Sequence, residues 1–374
     1  MNIGLIGCGS MGRTHTFAVD ALKFFYRDLP FDAKVSAITA AHFENAIKAA
    51  RNFGIGRAVE TEDELIYDDR IDIVDICSPN IYHYETLKKA LTAGKHVYCE
   101  KPLCVTASEA YEIAELADKK GVIAQIVFNN RFLAPIMRAK EIISEGRIGN
   151  IVSFRCSYLH SSASDVNKNA GWKQDRSVCG GGVLFDLGSH AIDLIYYLCG
   201  NFSSVSGRSQ IYHKIRRGRD GNQWETNADE AFYITAQLEN GGVGTIEANK
   251  LTVGTNDDLN LEIYGEKGAI RFSLMEPNWL WYYDGSRAGG DLGGDGGFTK
   301  IECVGRYSAP GGIFPGVKAP VGWLRGHIGS MYSFLNAVYE RSQTCPSFRD
   351  GAYIQKIMER AYESDTQNGI FLEV

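Results

Sequence analysis

A chain of 374 residues with 44% hydrophobic and 22% charged side chains has room for two domains and is too apolar to be disordered. A net charge of −6, with no basic block beyond the short run Arg216-Arg217-Gly218-Arg219, argues against a nucleic-acid partner. Nine cysteines without a CxxC spacing argue for a reducing compartment, and no run reaches membrane-spanning length. The start, MNIGLIGCGSMG, enters a strand and a glycine turn without the basic and apolar regions of a secretory signal. The expectation is a soluble cytoplasmic protein with neither a membrane nor a nucleic-acid partner.

Along the chain, Asn2 to Ile6 predicts a strand and Gly12 to Tyr26 a helix. A strand follows at Lys34–Thr39, then a helix at Phe43–Phe53 stopped by Gly54. Glu62–Tyr67 reads as a short helix, Ile71–Cys77 as a strand, and His83–Ala93 as a helix stopped by Gly94. A buried strand then runs to Tyr98, Ala107–Lys120 is a helix ended by Gly121, and Val122–Phe128 is a strand. Repeated βα units predict a parallel, right-handed, doubly wound sheet over residues 1–128. Beyond residue 128 the pattern changes. Helices are expected at Pro135–Glu145 and Val183–Leu198, and a strand at Ile151–Leu159. Short strands recur from Phe202 to Trp281, as in an antiparallel sheet. The glycine-rich stretch 284–298 predicts a loop, and Ile328–Arg341 and Gly351–Ser364 predict closing helices. The fold class is α/β: a dinucleotide-binding type domain over 1–128, then an α+β domain over 129–374 with a large, mainly antiparallel open sheet.

Gly7-Cys8-Gly9-Ser10-Met11-Gly12 matches G-x-G-x-x-G between a strand and a helix. Glycines there permit a tight turn and let the backbone approach a pyrophosphate at the positive helix end. The acid that should hold a ribose 2′-hydroxyl at the end of the second strand is missing: the stretch reads Ile38-Thr39-Ala40-Ala41-His42. Thr39, His42 and Arg13 are alternatives, so NAD is expected with NADP still open. Ser78 and Asn80, in Cys77-Ser78-Pro79-Asn80-Ile81-Tyr82-His83, are turn formers and helix caps that also lie where a dinucleotide would cross the sheet edge. In Cys99-Glu100-Lys101-Pro102-Leu103, the proline pushes Lys101 toward an extended conformation at that same edge. Asp186 and His190, in GGGVLFDLGSHAID, are four apart and share a helical face, with Asp193 one turn on. A metal site is not expected there, because no cysteine or second histidine stands at ligand spacing.

With GCGSMG, CEKPL and GGGVLFDLGSHAID in this order, nearly the whole chain resembles the glucose–fructose oxidoreductase/inositol dehydrogenase/rhizopine-catabolism (Gfo/Idh/MocA) family. SPNIYHYETLKKALTAGKHVYCEKP and Gly171-Trp172-Lys173 belong to the same resemblance. It implies a Rossmann domain, a second domain whose open sheet often joins subunits in a homo-oligomer such as a dimer or tetramer, and a nicotinamide cofactor. It also implies oxidation or reduction of one carbinol of a sugar, inositol or related polyol. By motif, Lys101, Asp186 and His190 look like the catalytic trio. The lysine would stabilise alkoxide charge, the histidine would take the hydroxyl proton, and the aspartate would orient the histidine or bind a neighbouring hydroxyl. The cofactor contacts implied are Gly7, Gly9, Ser10, Met11, Gly12, Thr39, Ser78, Asn80, His83, Glu100, Lys101, Asn129, Trp172 and Lys173. Asn129 stands for the segment Asn129-Asn130-Arg131-Phe132 after the last Rossmann strand.

Substrate is expected to meet Lys101, Asp186 and His190, with His160 and Asp165 of one loop. Trp323, Arg325 and His327 of a second loop, FPGVKAPVGWLRGH at 314–327, join them. That long loop resembles the larger-substrate branch of the family, including glycoside dehydrogenases acting on a ring hydroxyl such as the one at C3. Two alternatives accompany this reading. Some relatives hydrolyse glycosides by transient oxidation and elimination with retained NAD, and others are ligand-sensing regulators on the same fold.

Overall fold

The computed structural model describes residues 1–218, 221–287, 289–304, 309–311, 314 and 322–374. It divides into two compact units.

The first unit holds a six-stranded sheet of β1 (Asn2–Ile6), β2 (Lys34–Thr39), β3 (Arg57–Ala58), β4 (Ile73–Ile76), β5 (His96–Cys99) and β6 (Ala124–Ile126). The order is β3-β2-β1-β4-β5-β6 and every pairing is parallel. Ile73, Val74 and Ile76 are wholly buried, as expected of strands covered on both faces. The connecting helices are α1 (Ser10–Phe25), α2 (Phe43–Phe53), α3 (Glu62–Ile66), α4 (His83–Thr92) and α5 (Ala107–Lys120). Gly54 and Gly121 end α2 and α5 in left-handed geometry, at φ 70° and 64°. At its start α5 carries a capping box between Thr106 and Glu109. Because strand order reverses between β1 and β4, their carboxyl ends open the crevice where such sheets bind ligands.

A single boundary at residue 128 does not describe this unit. It runs to Phe132 and takes in Leu324–Gln355 as well. The late helix packs on α1: Tyr26 stacks on Tyr332 with ring centroids 4.0 Å apart, and Tyr98 donates its hydroxyl hydrogen to Ser330 Oγ at 2.8 Å. Burial of these surfaces draws the helix away from the domain its sequence neighbours build.

The second unit contains α6 (Ala134–Ser144), α7 (Arg176–Cys179), α8 (Ser189–Cys199) and the remaining strands. These are β7 (Ile151–Leu159), β8 (Phe202–Gln210), β9 (Ile215–Arg217), β10 (Gln223–Glu225), β11 (Ala231–Leu238), β12 (Val243–Asn249), β13 (Asp258–Gly265), β14 (Gly268–Ser273), β15 (Trp279–Asp284), β16 (Phe298–Glu302) and β17 (Leu372–Glu373). Nine of them form one sheet in the order β16-β15-β14-β13-β7-β12-β11-β8-β17. All neighbours are antiparallel except β7 and β12. Strand β11 alternates buried and exposed residues, so one face is packed and Tyr233, Thr235 and Gln237 lie on the other. The stretch 284–298 connects β15 to β16, a strand the sequence pattern does not reveal.

One stretch corrects the expectation about membrane-length runs. Arg176–Cys199 is long and apolar enough to cross a bilayer, but most of it is buried in the protein, as in a core helix. The lone basic run also has an interior role. Arg216 is buried, pairs with Glu230 at 2.5 Å and donates to the carbonyl of Asp165 at 2.9 Å, which anchors the loop after β7. The late helices α9 (Leu324–Glu340) and α10 (Phe348–Thr366) start earlier than expected.

Candidate active site

In the first unit, the site is assembled from strand ends. β1 delivers the glycine turn. A β-carbon on Gly12 would run into the Gly7 carbonyl, so close helix–strand packing requires glycine there. Gly9 and Ser10 are exposed, and a β-carbon on Gly9 would meet open space. α1 begins there without an acid in its first turn or a side-chain cap, leaving its positive end to the groove. β4 delivers Ser78, whose buried Oγ has no hydrogen-bond partner. β5 delivers Glu100 and Lys101. The chain bends at Lys101, and the Lys101–Pro102 peptide is cis, an isomer open to proline.

Glu100 turns inward. One carboxylate oxygen accepts from the Lys101 backbone N–H at 3.1 Å, and the other lies 3.2 Å from His15 Nε2 on α1. The opposite ring nitrogen of His15 lies 2.9 Å from Asp75 of β4. Burial works against charge on Glu100, but the His15 hydrogen bond and the charges of His15 and Lys101 bring its pKa down to about 2. Burial opposes charge on His15 as well. The Asp75 carboxylate outweighs that, and the His15 pKa stands well above the ordinary imidazole value.

In the second unit, the predicted helix from Val183 is not uniform. A π-helical turn, Leu184–Gly188, precedes α8 and carries Asp186. Turns of this kind often present functional side chains. Asp229 secures the entry: its carboxylate accepts from the N–H groups of Gly182 and Leu184, both at 3.0 Å, and from the Tyr362 hydroxyl at 2.5 Å. A β-carbon on Gly182 would collide with the Asp229 backbone, which only glycine avoids. Gly182→Ala is therefore expected to cost on the order of 3 kcal/mol of stability. Urea unfolding checks this, and an unchanged midpoint would refute the packing account.

Asp186 is held between two ammonium groups, Lys173 Nζ at 2.9 Å and Lys250 Nζ at 2.9 Å. His190, one turn on and nearly buried, sits against the edge of Tyr158 with ring centroids 6.0 Å apart. The Tyr158 hydroxyl donates to Asp257 at 2.7 Å, and His160 Nε2 lies 2.9 Å from the same carboxylate oxygen. Burial works against the Asp257 charge, yet the His160 and Tyr158 hydrogen bonds hold its pKa below the usual carboxylate range.

Sheet register explains this grouping. β12 pairs parallel with β7 through Asn249 and Leu159, and β13 pairs antiparallel with β7 through Asp258 and Leu159. Lys250, His160 and Asp257 therefore leave three neighbouring strands at one end. Lys250, Asp257 and Tyr158 were not expected from the sequence, which holds no local signal for them.

Two family descriptions match the chain. Residues 1–128 match an oxidoreductase family with an NAD-binding Rossmann fold, and residues 136–271 match the GFO/IDH/MocA C-terminal domain. Levoglucosan dehydrogenase of Pseudarthrobacter phenanthrenivorans is 31% identical across 97% of this chain and 96% of its own length. The chain belongs to the GFO/IDH/MocA oxidoreductase family. Glucose-6-phosphate 3-dehydrogenase of Bacillus subtilis is 27% identical over 98% of this chain and 97% of its own. The solved structure of levoglucosan dehydrogenase in complex with NADH and levoglucosan superposes with a TM-score of 0.93, at 31% identity, over 100% of this chain and 99% of that one.

An NAD-binding GFO/IDH/MocA chain needs a first unit able to hold a dinucleotide, and these residues fit one. The exposed Gly9–Ser10 turn leaves room for phosphate, the end of α1 is uncapped, and Ser78 offers an unpartnered hydroxyl at the sheet edge. Met11 lies half-buried in the first turn of α1, and Asn80 is nearly buried in the turn after Ser78. Thr39 is buried at the end of β2, its hydroxyl donating to the Glu60 carbonyl at 3.4 Å. His42 is exposed ahead of α2, and Arg13 lies over the Phe53 ring.

Several expected contacts have other partners. Glu100 faces His15 rather than the groove. His83 is buried, and its ring nitrogens each lie 2.9 Å from a backbone carbonyl, of Pro102 and of Ser78, so it ties two loops together. Asn129 is buried and donates to Asn130 Oδ1 at 3.3 Å, while Arg131 pairs with Asp350 at 3.3 Å. Arg325 is not on a loop. It is buried in α9 and its guanidinium donates to the Gly311 carbonyl, at 3.0 Å from Nε. His327 is buried in the same helix, and residues 315–321 of the expected substrate loop lie outside the described residues. Asp165 closes a turn by accepting from the Asn167 N–H at 2.9 Å. Trp172 stays exposed, with Lys173 Nζ 5.7 Å from its ring centre.

Proposed function

We propose that this oxidoreductase acts on one secondary hydroxyl of a sugar, glycoside or cyclitol, with a ring hydroxyl such as that at C3 as the first choice. The observation that carries the reading is the end-to-end likeness to sugar dehydrogenases, at a level of identity that spans both units. NAD, when bound, accepts a hydride from the carbinol carbon. Gly7, Gly9, Ser10, Met11, Gly12 and Ser78 are the residues that would hold it, with Thr39 and Asn80 in the same unit. Lys101 donates a hydrogen bond to the reacting oxygen and stabilises the charge that develops there. His190 takes the hydroxyl proton. Asp186, its carboxylate fixed by Lys173 and Lys250, accepts a hydrogen bond from an adjacent substrate hydroxyl, and His160 binds another. A homo-oligomer in the cytoplasm goes with this reading, and nine free cysteines favour a reducing compartment.

The test is a panel of glycosides, aldoses and cyclitols with NAD+ or NADP+, followed by absorbance of the reduced cofactor. The expected result is reduction of NAD+ with ring-hydroxyl substrates and little or none with NADP+. Altered sugar products without net cofactor reduction would replace this reading with an internally recycled redox reaction. Bound nucleotide with no turnover of any sugar would replace it with a sensor.

A further inference from the structure

We infer that Asp75, His15 and Glu100 form a buried charge chain that fixes Lys101 in position and keeps its side chain an ammonium, which makes His15 and Glu100 positioning residues. The inference rests on the role proposed above for Lys101.

The geometry carries it. The side chains of His15, Asp75 and Glu100 are 1%, 0% and 9% exposed, too little for water to stabilise their charges. Each nitrogen of the His15 ring meets a different carboxylate: Nδ1 lies 2.9 and 3.1 Å from the two oxygens of Asp75, and Nε2 3.2 Å from Glu100. A neutral imidazole has one N–H and would set a lone pair against one carboxylate. An imidazolium satisfies both. The chain of contacts does not stop at Glu100, because its second oxygen accepts the Lys101 backbone N–H at 3.1 Å. The sequence of charges is therefore Asp75 negative, His15 positive, Glu100 negative and Lys101 positive.

Four further titratable side chains face these groups, and one of them, His327, adds an attraction for the Glu100 charge. Just past β4, the Cys77 thiol lies 3.2 Å from His15 Nδ1, and burial keeps it protonated. On β5, Tyr98 packs on the ring at 5.1 Å, and burial keeps its phenol protonated. From α9, His327 approaches with ring centroids 6.1 Å apart. On α4, His83 feels the Glu100 charge but is pushed toward neutrality by burial. A buried ion pair adds little net stability over apolar residues of the same volume. Stability alone is thus a poor account of three buried charges in a row that ends on the Lys101 backbone N–H. An anion fixed beside that residue favours the ammonium over the amine, so the lysine donates to the substrate oxygen and leaves proton removal to His190.

Two measurements test this. In the wild-type protein labelled with 15N-histidine, one of the eight imidazoles should remain doubly protonated above pH 8. In His15→Gln and Glu100→Gln, that signal should shift or vanish. Turnover should fall about 10- to 100-fold with the sugar KM little changed, and the alkaline limb of kcat/KM should move down by about one pH unit or more. The chain is refuted if all eight imidazoles are neutral by pH 8. It is equally refuted if both variants keep the wild-type pH profile. If a variant does not fold, the wild-type spectrum decides. If no sugar is turned over at all, the proposed function fails, while the spectrum still reports on the charge chain.

Discussion

Replacing Lys101 with Met is expected to lower kcat/KM by about 10³, roughly 4 kcal/mol of transition-state stabilisation. Met has similar length and apolar bulk but no donor and no charge. The Lys101 backbone N–H is held by the Glu100 carboxylate, a contact that does not need the ammonium. The fold should therefore persist, and NAD+ affinity measured by fluorescence titration should stay within about threefold, since the glycine turn and Ser78 are untouched. The loss should lie in kcat, because the charge it answers develops only as the hydroxyl proton leaves. Lys101→Arg should recover part of the rate: it restores the charge but places a planar fork where a compact ammonium belongs. Turnover of the Met variant within tenfold of wild type would remove Lys101 from the chemistry.

His190→Asn is the second large effect, with an expected loss of about 10²- to 10⁴-fold in kcat. The direction with pH follows from the role. A general base must be neutral to act, so the wild-type rate should fall on the acid side. Asn cannot accept the proton, and the variant should lose that acid limb as well as the rate. His190 lies against Tyr158, and the Tyr158 hydroxyl is held by Asp257. Asn at 190 leaves that pair in place, so a gross change in circular dichroism would mean the substitution acts on folding instead. A variant that keeps both the rate and the acid limb would pass the base role to another group.

Much of the first unit was legible because its signals act over a few residues. The glycines of GCGSMG, the stops at Gly54 and Gly121 and the apolar runs of the parallel strands each describe their own surroundings. The positions Lys101, Asp186 and His190 came from the family resemblance, because local spacing alone marks each of them as an ordinary loop or helix residue. Their partners were less legible. Asp186, read as a partner for His190 or for substrate, meets two lysines, and Lys250 is one that no nearby spacing marks. Arg325 looked like a loop residue because the aromatic and basic residues before it suggested an exposed segment. The helix that begins at Leu324 buries it instead.

What the sequence alone determined is most of the elements and the glycine and proline turns that join them. The reason is that turn chemistry, periodicity and proline geometry are properties of neighbouring residues. What only the tertiary structure decided is which charges meet. His15 finds Glu100 across 85 residues, and His160 finds Asp257 across 97. Those meetings are fixed by the register of parallel and antiparallel strands and by the helices laid over them. A one-residue slip in any pairing would turn the same side chains to the opposite face.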